Sequence, residues 1–193
     1  MVEISGKYKI GTRRFGSVNW IGAWTLYKKE VLRFLIVWIQ TLFSPLITSL
    51  LFLSVLSLAI GNDRGDVLGV PFIVFLAPGL IAMQIIQQAF SHSSSSFMIG
   101  KIQGNIVDLV YAPLSAGEVT LAVTLASVTR SVLIAIISLL VFYLFIDLEI
   151  KNFTTLIAFT FLSAFSLGAL GIIAGLWAEK FDHMATVTNF III

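Results

Sequence analysis

Long apolar segments dominate this chain and constrain its fold more than any other feature. From Phe34 to Ile193, apolar runs alternate with short polar breaks. Only 11% of the residues are charged and the mean hydropathy is +1.01, whereas a soluble domain carries about a quarter charged residues. We therefore expect most of the outer surface to contact lipid, where the backbone must satisfy its own hydrogen bonds within helices.

Four of these runs are long enough to cross a bilayer, for which a helix needs about 20 apolar residues. Spans are predicted at about 34–60, 72–99, 118–145 and 153–177, and a fifth begins near residue 187. The expected fold is an all-α, polytopic membrane helix bundle. Membrane proteins rarely end within an apolar run, so we expect the chain to be truncated in its fifth span, with a short re-entrant end as the alternative.

The uneven distribution of Lys and Arg predicts the orientation of the spans. Residues 1–19 form a polar tail without an apolar core of signal-peptide length. With this tail in the cytoplasm, nine basic residues lie inside and two outside, and Arg130 lies within a span. The N-terminus is therefore expected to be cytoplasmic.

A short amphipathic segment precedes the first span. Its apolar residues recur at helical spacing, and they are Trp20, Trp24, Tyr27, Val31 and Phe34. This pattern predicts an interfacial helix over 20–33 with an aromatic stripe on the membrane. The alternative is a simple extension of the first span into the headgroup region.

Polar and small residues form stripes within the spans. In the first span Gln40 and Ser44 are one turn apart, as are Gln84 and Gln88 in the second, and Gly168, Gly171 and Gly175 share a face of the fourth. Such stripes allow helices to approach closely and to form hydrogen bonds in lipid. Packing alone explains them, and the alternative is that Gln40, Ser44, Gln84 and Gln88 line a substrate path.

Arg130 is the ionisable residue deepest in a span. Because a charge in lipid is costly, its side chain is expected to face protein, water or an anion. We expect the side chain to contact a substrate phosphate or carboxylate, or a partner helix in a dimer. The alternative is that it extends to the cytoplasmic membrane interface. Glu118 lies twelve residues away on the same predicted helix, about 18 Å along the axis, so a direct bond between the two is not expected.

The residue inventory excludes several kinds of chemistry. The chain has no cysteine and only two histidines, so thiolate sites and multi-histidine metal sites are not expected. His92 and His183 are expected to be solvated or packed. No catalytic constellation and no glycine-rich phosphate loop occurs in the sequence. We expect no enzyme activity, no bound cofactor or metal, and no nucleic-acid partner.

The segment after the second span is too apolar for an exposed loop and too short to cross the membrane. Within 103–114, apolar and polar residues alternate in a pattern that predicts a short amphipathic helix, with Asn105 as its cap and Pro113 ending it near Ala112. Such a helix needs a surface to pack on. That surface is either a partner protein or the membrane.

These segments together resemble the ABC-2 type transporter permeases. In the first span the resemblance rests on Glu30, Arg33, Phe34, Gln40, Thr41 and Pro45. In the second span and the following loop it rests on Pro78, Gly79, the serine run at 93–96, Lys101, Gly104, Asp108 and the residues 112–114. It covers about residues 30–193, and it is closest to bacterial permeases that export polysaccharides, lipo-oligosaccharides or drugs.

The resemblance implies a six-span (type V) exporter permease of the bacterial inner membrane, here truncated after about four and a half spans. It implies a cytoplasmic ABC ATPase subunit that holds ATP and Mg, and a second permease copy, expected as a homodimer. The helix at 103–114 would be the coupling helix, and the residues implied to contact the ATPase are Gln103, Asn105, Ile106, Asp108, Leu109, Val110, Tyr111 and Pro113.

Two other functions remain open from the residues themselves. A secondary transporter or channel usually carries ionisable residues in several spans, and this chain shows Arg130 alone. An intramembrane lipid-linked transferase needs acidic residues that act together at the interface. Asp108 and Asp182 are the candidates for that role, and their placement is poor for cooperation.

Overall fold

In a computed structural model, the described residues are 18–60, 66, 67, 69–146, 148, 150 and 152–192. Seven α-helices account for most of them: α1 Trp20–Ile36, α2 Ser44–Ile60, α3 Phe72–Ile102, α4 Ile106–Tyr111, α5 Ala116–Phe145, α6 Phe153–Trp177 and α7 Phe181–Ile192. A π-helical turn, Ile39–Phe43, leads into α2. Within the described part, the only extended pairing is a bridge between Val67 and Val70.

Four helices are long and apolar enough to cross a membrane, and they are Ile39–Ala59, Phe72–Ile102, Ala116–Phe145 and Phe153–Trp177. Large apolar side chains cover their outer surfaces, for example Leu58, Leu144 and Phe159. A surface of this kind is stable in lipid and not in water. The predicted all-α, polytopic membrane bundle is therefore confirmed.

The helix bounds add detail to the predicted spans. The amphipathic helix α1 extends to Ile36, and a break at Val37 separates it from the first span. Helix α3 continues to Ile102, and α7 begins at Phe181, before the fifth apolar run at 187. Most of the predicted cytoplasmic tail, residues 1–17 of 1–19, lies outside the described residues.

Helix α6 packs against α3 and α5 along its glycine stripe. A Cβ atom built on Gly171 would lie 2.5 Å from the carbonyl oxygen of Phe90, and one built on Gly175 would lie 2.6 Å from that of Ser94. Gly168 similarly faces Ser127 of α5. Backbones can approach this closely only where side chains are absent or small. The glycine stripe therefore serves helix packing.

The N-terminus of α1 is attached to the N-terminus of α5 through one carboxylate. Glu118 Oε1 accepts a hydrogen bond from the backbone N–H of Asn19 at 2.6 Å, and Oε2 accepts one from the N–H of Ser115 at 2.6 Å. The Ser115 hydroxyl in turn accepts from the Glu118 N–H, which completes a capping box. Glu118 thus caps α5 and holds α1 beside it.

Helix α1 continues alongside α5 in the same direction. Tyr27 Oη lies 2.9 Å from Thr129 Oγ1, eleven residues beyond Glu118 on α5. The indole rings of Trp20 and Trp24 face outward and are largely exposed. Helix α1 therefore packs one face on the bundle and leaves part of its predicted aromatic stripe exposed; its placement in the membrane interface stays a prediction.

Replacement of Gly171 by Ala is expected to destabilise the bundle, because the added methyl group would collide with the backbone of Phe90. Overpacking of this kind costs about 1–3 kcal/mol. The measurement is the thermal unfolding midpoint of the full-length chain in detergent. Gly79→Ala is the matched control, since a Cβ there meets nothing within 4 Å. Equal midpoints for the two variants would contradict the close α3–α6 contact.

Replacement of Glu118 by Ala is expected to loosen α1 from the bundle, because two backbone N–H groups lose their acceptor. The cost of such unsatisfied donors is about 1–3 kcal/mol. Trypsin cleavage after the exposed Lys28 and Lys29 of α1 should become faster, and Glu118→Gln should have a smaller effect. Glu179→Ala removes an exposed carboxylate and serves as control. Unchanged cleavage in the Ala variant would argue against the anchoring role.

Candidate functional site

A polar groove of about 740 Å³ lies between the end of α1, the π-helical turn, α2 and α3, with Arg130 of α5 at its wall. Eleven of its fifteen lining residues are polar or charged. Along α3 the groove extends from Gln87 to Gln103, which is about 24 Å of helix. A polar groove of this length in an apolar bundle is the strongest candidate for a functional site.

The π-helical turn forms part of the groove wall. Its residues Gln40 and Thr41 line the groove, and Ser44 follows at the start of α2. A π turn inserts one residue into a helix and often marks a functional site. The helix is interrupted at Val37 and continues through the π-helical turn. This turn places polar residues of the first span opposite α3.

Two arginines contribute positive charge to the groove. Arg130 Nη2 donates a hydrogen bond to Gln88 Oε1 at 2.5 Å. Arg33 Nη2 lies 2.9 Å from the buried Glu30 carboxylate and donates to the backbone carbonyl of His92 at 3.2 Å. One arginine therefore has an acidic partner, and the other has a neutral one.

His92 lies between these groups and is fully buried. Its Nε2 is 3.8 Å from the Glu30 carboxylate, and its ring meets Phe34 edge-to-face with centroids 5.7 Å apart. The sequence predicted that His92 is either solvated or packed, and the structure shows that it is packed. His92 helps to position the inner wall of the groove.

The structure separates the predicted path residues into two groups. Gln40, Ser44, Gln88 and Arg130 all line the groove. Gln84 does not, and is only 4% exposed. Its amide nitrogen donates to the Ser49 hydroxyl and to the Pro45 carbonyl, and its oxygen accepts from Ser138 at 2.7 Å. Gln84 therefore joins α2, α3 and α5.

Several groove residues did not emerge from the sequence as path candidates, and they are Arg33, Gln87, His92, Ser95 and Gln103. The sequence did contain a pattern that indicates the groove residues on α3. Residues 88, 92, 95, 99 and 103 follow steps of four, three, four and four, which places them on one helix face. Arg33 carried no comparable signal, because its position depends on how α1 packs on the bundle.

The predicted coupling residues lie together beyond the end of α3. Helix α4 has no buried residue, and Val110 and Tyr111 are 75% and 84% exposed. Ile106 and Leu109 face inward and pack against a cluster that includes Phe97 of α3 and Val123 of α5. The helix thus presents one apolar face to the bundle and another to its surroundings.

The ends of α4 differ in detail from the expected capping. Asn105 is at the N-cap position, but its side chain makes no capping hydrogen bond and donates to Gln103 Oε1 instead. Gly104 has a φ of 76°, a turn that glycine adopts without strain. Helix α4 ends at Tyr111 with Ala112 as its C-cap, and the Pro113 carbonyl accepts a hydrogen bond from the Asn19 side chain.

Two further cavities are lined mainly by apolar residues. One of about 590 Å³ lies between α3, α5 and α6, and one of about 670 Å³ lies between α1 and α5. Their linings suit lipid chains better than polar ligands. Within the described part of the chain, no group of acidic, Cys or His residues is arranged to hold a metal ion.

Comparison with known proteins agrees with this architecture. The sequence pattern that defines the ABC-2 type transporter family matches residues 22–193. Proteins named inner membrane transport permease YadH, from Escherichia coli K12 and from Shigella flexneri, are 28% identical over 173 residues, covering 90% of this chain and 68% of theirs. No solved structure matches the chain significantly. Since the family pattern covers far more than half of the sequence, this polytopic membrane protein belongs to the ABC-2 type transporter family.

Proposed function

We propose that the chain is the membrane-spanning permease of an ATP-driven exporter in the bacterial inner membrane. Support comes from membership of the ABC-2 family and from relatives named as inner membrane transport permeases. The sequence contains no glycine-rich phosphate loop, so ATP would be hydrolysed, with Mg, by a separate cytoplasmic ABC ATPase. The substrate is a lipid, glycan or drug-like molecule moved out of the cytoplasm.

The observation that carries this proposal is the exposed outer face of α4. Val107, Val110 and Tyr111 form an apolar patch at one end of the bundle, with the carboxylate of Asp108 beside it. An apolar patch on a short helix outside the spans is typical of a protein interface. We infer that this patch docks on the ATPase.

The inner face of α4 explains how docking would act on the spans. Ile106 and Leu109 pack on a cluster built from α1, α3, α5 and α6. A displacement of α4 by the ATPase would therefore act on four helices, and three of them, α1, α3 and α5, line the polar groove. Two permease copies, each with an ATPase, would form the complete transporter as a homodimer.

Bulky or charge-reversing changes on the outer face of α4 are expected to uncouple the complex. Val110→Trp and Asp108→Lys should reduce co-purification of a co-expressed ABC ATPase, and substrate-stimulated ATP hydrolysis, by about tenfold or more, as for a central interface residue. Leu58→Trp introduces the same bulk at an exposed site on α2 and should have no effect. Transport by the full-length chain without any ATPase, driven by a proton or sodium gradient, would instead indicate a secondary transporter.

The proposed orientation can be measured by cysteine labelling, since the chain has no native cysteine. Asp66 and Val110 are both exposed. In the predicted topology, Asp66 follows the first span on the outer side of the membrane and Val110 follows the second span on the cytoplasmic side. A membrane-impermeant maleimide should label the Asp66→Cys variant in intact spheroplasts and the Val110→Cys variant only in inverted vesicles.

Labelling of both variants from the same side would refute the arrangement of the spans. Labelling in the reverse order would place α4 outside the cell and remove the basis for an ATPase interface. A variant with neither substitution is the background control.

A further inference from the structure

Lys101 connects the end of α3 to the end of α6, outside the polar groove. Its ammonium group donates hydrogen bonds to the backbone carbonyls of Leu176 and Ala178, the latter at 3.0 Å. The bonded residues are 75 and 77 positions apart in the sequence. Because the two bonds join different helices, they fix the last turn of α3 against the end of α6.

The end of α6 needs such a donor. The last four carbonyl groups of an α-helix have no partner within the helix, and they form the negative end of its dipole. Helix α6 ends at Trp177, and no residue of its last turn is basic. Lys101 itself belongs to the last turn of α3, yet its side chain bonds to α6. Helix α3 thus supplies the cation that α6 lacks.

Helix α7 starts close to these bonds and packs on the same two helix ends. It begins at Phe181, three residues after Ala178. Met184 of α7 lies in a buried apolar cluster together with Met98 of α3 and Ala178 of α6. A helix that packs on two helix ends follows them when they move, because protein interiors leave little free volume. The position of α7 therefore depends on the ends of α3 and α6.

On its other side, Lys101 is close to α4. Helix α3 ends at Ile102, and Gly104, with a φ of 76°, forms the turn into α4. Beyond this turn α4 packs back on α3, since a Cβ atom built on Gly100 would lie 3.9 Å from that of Ile106. A displacement of α4 would therefore act on the last turn of α3, the turn that carries Lys101.

We propose that Lys101 is a positioning residue that makes α7 follow the end of α3, so that a displacement of α4 also reaches the fifth apolar run. The inference rests on the proposed function and extends it to a segment outside the groove. When an ATPase displaces α4, the last turn of α3 moves, and Lys101 carries the end of α6 and the start of α7 with it. Lysine suits this role because its ammonium group is a strong donor on a flexible four-carbon stem.

The first measurement is hydrogen exchange of the full-length permease in detergent, followed by mass spectrometry. Lys101→Met removes the ammonium group and keeps an unbranched side chain. The amides of α7 should then exchange about tenfold faster or more, because the loss of charge-assisted hydrogen bonds raises the population of the locally open state. Lys101→Arg should retain most of the protection, since a guanidinium group also donates hydrogen bonds.

Two controls accompany this measurement. Lys28→Met makes the same chemical change at an exposed lysine of α1 and should leave the exchange of α7 unchanged. The amides of α1 should exchange at the wild-type rate in Lys101→Met, which shows that the bundle is folded. Unchanged exchange of α7 in Lys101→Met would overturn the proposal. Equally faster exchange in α1 and α7 would also overturn it, because the lysine would then serve general stability alone.

A second measurement separates a role in coupling from a role in stability. The permease is assembled with its ABC ATPase, and hydrogen exchange is compared between the nucleotide-free complex and the complex trapped with ATP and vanadate. In the wild type, trapping should change the exchange of both α4 and α7. In Lys101→Met it should change the exchange of α4 alone, because the outer face of α4 is intact. A full response of α7 in this variant, or no response of α7 in the wild type, would refute the coupling role.

The two proposals fail in different ways. If no ATPase co-purifies with the full-length chain, the exporter is refuted, and the coupling role of Lys101 is refuted with it. If an ATPase co-purifies and α7 exchanges in Lys101→Met as it does in the wild type, only the inference about Lys101 is refuted. A lost α7 response in Lys101→Met, with the α4 response retained, would support both proposals.

Discussion

The interior of a bilayer supplies no hydrogen bonds, so each polar side chain in the spans must find a partner in protein or in water. Gln84 satisfies this requirement through Pro45, Ser49 and Ser138, and it is almost completely buried. Arg130 satisfies it only in part, through one neutral amide. These two residues are both polar and both within spans, yet one stabilises the bundle and the other faces a groove. The distinction depends on whether the protein itself completes the hydrogen bonds.

Helix α3 connects the parts of the molecule that the proposed transport cycle needs. One face lines the polar groove through Gln88 and His92, and another packs on the glycine stripe of α6 at Phe90 and Ser94. Its end leads through Gln103 into α4. Backbones packed as closely as those of α3 and α6 move together, because little soft side-chain volume separates them. In the proposed complex, a force on α4 would therefore reach the groove through a rigid pair of helices.

The sequence was sufficient to predict the number of described spans and their helical class, because hydropathy over about 20 residues is a strong local signal. It also marked Gln40, Ser44, Gln88 and Arg130, which line the groove, as path candidates in an alternative to packing, and their role in transport stays a prediction. It did not separate Gln84 from Gln88, although both lie on α3 one turn apart. Helical spacing shows which residues share a face, and only the packing of neighbouring helices decides whether that face is closed or open. The sequence did not predict that Arg33 lines the groove, because its position also depends on how α1 packs against its neighbours.

Helix α5 shows how two opposite charges in one helix avoid neutralising each other. Glu118 and Arg130 are twelve residues apart, about 18 Å along the axis, so neither can reach the other. Glu118 instead accepts backbone N–H groups of Asn19 and Ser115 and fixes α1 against α5. Because α1 carries Arg33, this anchor also determines where the second cation of the groove lies. The carboxylate thus contributes to the charge of the groove through the position of a helix, while Arg130, on the same helix, has the neutral Gln88 as its hydrogen-bond acceptor.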